Sequence, residues 1–178
     1  GKARIESHSL IRPEYPTFPA ENKSLVLPGH PAAWRVRESE LADPTSLRFT
    51  NGDSITIEAW VALDSLSSNS FAYLIGKGRN HNKAFTPENQ NWALRLKGDK
   101  GYALPTFLFR SADEQAEYHR WTASEGLDAD GDWHHLALSY TFGKPDSIVA
   151  YIDGNRITQG TWDMGGKTTR PPVADADD

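Results

Sequence analysis

The segment SITIEAWVAL, residues 54–63, constrains the fold more than any other part of the chain. Ile55, Ile57, Ala59, Val61 and Leu63 fall on one face, and Thr56, Glu58 and Trp60 fall on the other. That period of two belongs to a half-buried strand and cannot be laid on a helix. Segments of the same kind recur at 71–76 (FAYLIG), 92–97 (WALRLK), 106–110 (TFLFR), 116–122 (AEYHRWT), 133–140 (WHHLALSY) and 148–152 (IVAYI). Turn chemistry punctuates them: Asn51-Gly52-Asp53 precedes the first, and Asp153-Gly154 predicts a tight hairpin after the last. The one helix-like patch, residues 39–42, is too short to propagate. Many short strands with turns between them predict an all-β sandwich.

Composition narrows the function. A chain of 178 residues can bury roughly 70% of its unfolded surface in one domain without cross-links. Lys and Arg number 19 against 24 Asp and Glu, a net charge of −5, which argues against a nucleic-acid partner. The absence of Cys excludes disulfides, zinc–thiolate centres, iron–sulfur clusters, Cys nucleophiles and covalent haem attachment. Apolar runs are only a few residues long, so no membrane span is expected. The first residue is Gly1 and the sole Met is Met164, which suggests a processed form or a piece of a longer protein.

Three divisions follow along the chain. Residues 1–23 hold Pro13, Pro16 and Pro19 and read as an extended arm on the surface. Residues 24–166 carry the sandwich, with a first strand expected at 24–36. Residues 167–178 (KTTRPPVADADD) read as a polar, acidic tail.

Four pieces in order, SITIEAWV at 54–61, LIGKG at 74–78, WHHLALSY at 133–140 and YIDG at 151–154, resemble the laminin-G-like, concanavalin A-like jelly-roll domains. The resemblance covers roughly 24–162, and the prefix from Glu14 resembles laminin-G-like modules of large planctomycete multidomain proteins with cytochrome c-like domains. It implies a concanavalin A-like jelly-roll β-sandwich that lacks its C-terminal strands, because family members continue with two strands not found before Asp178. A sheet edge left open in this way would invite self-association. The family also implies a periplasmic or extracellular location, and glycans or neighbouring protein domains as partners.

Each candidate site also admits a plainer structural role. No Glu-x-Asp-x-x-Glu run supplies the paired carboxylates of a glycosidase, and Glu38, Glu40 and Asp43 read as a solvated loop, so no enzyme is expected. His134 and His135 are adjacent on a strand and point to opposite faces, which rules out joint chelation. Asp128, Asp130 and Asp132, with Gly131 among them, could wrap a hard cation such as calcium; an Asp/Gly turn into the next strand is the plainer reading. Carbohydrate binding needs aromatic faces beside polar side chains. The expected residues are Asn80, His81, Tyr118, Trp121 and Trp162, with Trp60, Trp92 and Trp133 assigned to strands and so to packing. The alternative is a structural spacer or protein-interaction module that binds no sugar.

Overall fold

The computed structural model describes residues 2–6, 22–29, 32–78, 90–112 and 117–174, in two compact units, 1–41 and 42–178. In the first unit, β1 (Arg4–Glu6) pairs antiparallel with β2 (Ser24–Val26), and a 3-10 turn follows at Glu38–Glu40. Two features depart from the expectation. The arm contributes a strand, and the strand expected at 24–36 stops at Val26. Pro28 can donate no ladder hydrogen bond, and Gly29 turns the backbone with φ +89°.

The second unit is an antiparallel β-sandwich, as the alternation predicts. Its smaller sheet runs β11 (Asn155–Ile157), β10 (Val149–Ile152), β9 (Trp133–Thr141), β3 (Ser54–Ala62). Its larger sheet runs β12 (Gly160–Met164), β7 (Tyr118–Ala123), β6 (Tyr102–Arg110), β5 (Trp92–Asp99), β4 (Phe71–Lys77), and the short β8 (Leu127–Asp128) pairs with β6.

The inner faces meet as the periodicity requires. Ile55 and Ile57 of β3 and Leu136, Leu138 and Tyr140 of β9 pack with Trp92, Leu94 and Leu96 of β5 and Phe107 and Phe109 of β6. Phe109 is fully buried among rings: Phe142 meets it edge-on at 5.5 Å, Tyr140 at 5.7 Å and Trp162 edge-on at 6.2 Å. Each such side chain stabilises the fold by roughly 1.5–3 kcal/mol through removal from water. The register is set by the hairpin: Asp153 takes φ +51° and Gly154 φ +80°, placing Ile152 opposite Asn155 and Ala150 opposite Ile157.

Within the segment read as a polar tail, residues 167–174 pack against the end of β6. Thr168 and Val173 are buried, the Ala112 N–H donates to the Pro171 carbonyl at 2.9 Å, and the Val173 N–H donates to Arg110 at 2.8 Å. An extended Pro-Pro-Val run offers apolar surface and free carbonyls to the end of β6, which outweighs its polar neighbours. The remaining acids, 175–178, lie outside the described residues.

Candidate functional site

Pleating sends Phe71 and Tyr73 of β4, Arg95 and Lys97 of β5, Thr106 of β6, and Arg120 and Thr122 of β7 to the outer face of the larger sheet. Asp163 joins them from β12, where a bulge between Trp162 and Met164 inserts an extra residue. Arg120 Nε donates to Asp163 Oδ1 at 2.6 Å, Thr122 Oγ1 donates to Oδ2 at 3.1 Å, and Lys97 Nζ stands 3.7 Å from Oδ2. The guanidinium of Arg95 lies 4.5 Å from the centre of the Phe71 ring and 5.2 Å from that of Tyr73, while Arg120 covers Phe71 at 5.1 Å. Such contacts fix flat cations over flat rings.

This network decides the protonation of Asp163. Partial burial alone would raise its pKa, but the hydrogen bond and charge of Arg120, with Thr122 and Lys97, outweigh it and hold the carboxyl below its ordinary value. Asp163 is therefore an acceptor at neutral pH and carries no proton to give. Asp99 ends β5, three strands from β12 and so about 14 Å away at sheet spacing. Asp128 sits opposite Tyr102, four residues along β6 from the row of Thr106 and Thr122, about 13 Å distant.

Of the residues expected from the sequence, Trp121 and Trp162 come together at one groove and Tyr118 lies on the other face of the sheet. Tyr118 belongs to the outer face, opposite Arg110. Trp121 points inward, is 2% exposed and belongs to the core, so its ring faces are not open to a sugar. Trp162 pairs with Trp121, packs partly buried against the core, and lines a groove of about 480 Å³ with Gln159, Thr161, Asp146 and Lys167. Asn80 and His81 lie outside the described residues.

In the Asp/Gly turn, Asp130 accepts the Asp132 N–H at 2.9 Å, Gly131 has φ +92°, and the Ala129 N–H donates to Gly101. Among the described residues no three His, Cys, Asp or Glu side chains gather as a metal centre would require. The two histidines diverge as expected. His134 Nδ1 bonds Asp153 Oδ2 at 2.7 Å on the inner side, and His135 lies 3.7 Å from Glu58 on the outer side.

The alternation along β3 and β9 also carries a signal for two outward tryptophans. Of the three tryptophans assigned to packing, Trp92 is in the core, but Trp60 and Trp133 share the outward face of the smaller sheet and are half-buried.

Residues 38–174 match the family described as the concanavalin A-like lectin/glucanases superfamily. No curated protein and no solved structure matches the chain.

Proposed function

The chain belongs to the concanavalin A-like lectin/glucanases superfamily, and from that premise we propose that it is a non-catalytic, carbohydrate-binding module of a larger extracytoplasmic protein. One observation carries the reading: Asp163, the central carboxylate of the outer face, is fixed as an acceptor among Arg120, Thr122 and Lys97. An ionised carboxylate between two cations, already fixed relative to one another on the face that carries the exposed Tyr73, offers the polar groups and aromatic surface that the hydroxyls and C–H face of a sugar require. Preorganisation lowers the entropic cost of holding a ligand. No described helix is long and apolar enough to cross a membrane.

The test is a glycan array probed with the purified protein and with Arg120→Ala and Asp163→Asn. Saturable binding by the parent that both variants lose supports the reading. A blank array from folded, monodisperse protein overturns it and favours the interaction module.

A further inference from the structure

We propose that residues 33–37 are a strand donated to a second copy of this chain, where they add to the open edge of β3, and that the exchange is reciprocal. The stretch, AWRVR, ends where the region matched to the family begins. It runs without turn or bend between two fixed points. Before it, the Ala32 N–H donates to the Gly29 carbonyl at 2.8 Å. At its end, the Arg37 N–H donates to Glu40 Oε2 at 3.1 Å, and the Glu40 N–H donates to the Arg37 carbonyl at 2.9 Å. Between these points, Ala33, Trp34, Arg35 and Val36 make no hydrogen bond with any described residue. Their side chains alternate as those of a strand do. Trp34 and Val36, 60% and 55% exposed, fall on one side, and Arg35 and Arg37 fall on the other. A straight, unpaired stretch of this kind is a template for strand pairing.

β3 offers the matching edge. It ends the smaller sheet, with no strand beyond it among the described residues. The Phe142 N–H donates to the Asp53 carbonyl at 2.9 Å, one step before the β3–β9 ladder begins, and antiparallel bonding alternates from there. Ile55, Ile57 and Ala59 therefore bond β9, while Thr56, Glu58 and Trp60 turn their N–H and C=O groups to the open edge. An incoming strand laid antiparallel with Arg35 opposite Glu58 sets Ala33 opposite Trp60, Trp34 opposite Ala59 and Val36 opposite Ile57. Ala33 and Arg35 then bring unbonded backbone groups to Trp60 and Glu58, which have groups to pair. Each indole meets a methyl group across the pair, Trp34 over Ala59 and Trp60 beside Ala33. Arg35 brings a cation to Glu58, whose side chain is 70% exposed and stands 3.7 Å from His135 on the β9 side. The ladder stops at Arg37, where the turn onto Glu40 takes up the backbone.

Other occupants fit these groups less well. Two copies of the stretch paired about its centre would set Arg35 against Arg35, like charges directly opposite. A lipid surface would accept Trp34 and Val36 but would leave the backbone of residues 33–36 unpaired in hydrocarbon. Because the contact joins two different surfaces, it closes as a dimer only when each copy gives its strand and receives the other's. Neither surface belongs to the Asp163 cluster, so this proposal and ligand binding at that cluster stand or fall separately.

The experiment is sedimentation velocity on the whole chain across the micromolar range, with the parent, Arg35→Glu, Glu58→Arg and the double variant. The parent should pass from monomer to dimer as concentration rises. Each single reversal sets like charges opposite and should weaken the dimer about tenfold, and the double variant should recover it. Trp34→Ala should weaken it as well. All three positions are exposed, so urea midpoints of the dilute variants should match the parent and separate lost pairing from lost fold. Amide exchange gives an independent reading: the Arg35 N–H should be protected in the concentrated parent and unprotected in the dilute one. A parent that stays monomeric, single reversals that leave the dimer intact, or a double variant no better than the singles overturns the proposal.

Discussion

Arg120 and Asp163 meet at 2.6 Å across the β7–β12 pair, and the bulge after Trp162 is what turns the carboxylate toward that guanidinium. The pair ties the edge strand of the larger sheet to its neighbour. It also sets the charge state of the outer face.

The pH dependence follows from that pairing. The folded-state pKa of Asp163 is depressed, so its stabilisation is present above the unfolded value of about 3.9 and is lost as pH falls through the lower, folded one. Asp163→Asn should lower Tm at neutral pH, and the gap from the parent should close below about pH 4. Calorimetry across that range checks it; a gap independent of pH would remove the ion pair from the account.

Tyr140 makes the opposite case. Its ring is fully buried in the core, its hydroxyl has no hydrogen-bond partner among the described residues, and burial pushes its pKa up to about 12. Removing an unsatisfied hydroxyl restores an apolar contact, so Tyr140→Phe should be neutral or stabilising by about 1 kcal/mol. The parent should also lose stability as pH rises above about 10, because the unfolded chain ionises its tyrosine first. Denaturant curves at neutral and alkaline pH should show this loss reduced in the variant.

Gly160 lies where β12 crosses the Trp121 indole, and a Cβ there would press into that ring and stand 2.6 Å from the Thr122 carbonyl. Gly160→Ala should destabilise by about 1–3 kcal/mol, as overpacking does. An unchanged urea midpoint would show that the edge strand yields freely.

Trp121→Ala should cost about 3–5 kcal/mol, since it empties a core site that is 2% exposed. Any loss of ligand binding in this variant would accompany loss of fold, and its urea midpoint separates the two.

The strands with inward aliphatic rows were legible in the sequence because a buried face leaves a period of two. The short edge strands β8, β11 and β12 offer two to five residues each, too few for that pattern to stand out. Trp121 was placed in a strand correctly and misjudged in exposure: its neighbours Arg120 and Thr122 are polar, and only the register with Phe107 and Trp162 reveals that residue 121 faces inward. The Asp163 cluster was invisible for a different reason. Its members come from five strands spread between residues 71 and 163, brought together by sheet order and one bulge, and no local spacing records that.

The most direct test of the central claim follows ligand and product together. An oligosaccharide selected on the array is mixed with the protein, and amide spectra and sugar anomeric signals are recorded in the same tube over a day. The account predicts saturable shifts at Lys97, Arg120 and Asp163 with the sugar spectrum unchanged. New reducing-end signals that depend on the protein, or shifts that bypass those residues entirely, would contradict it.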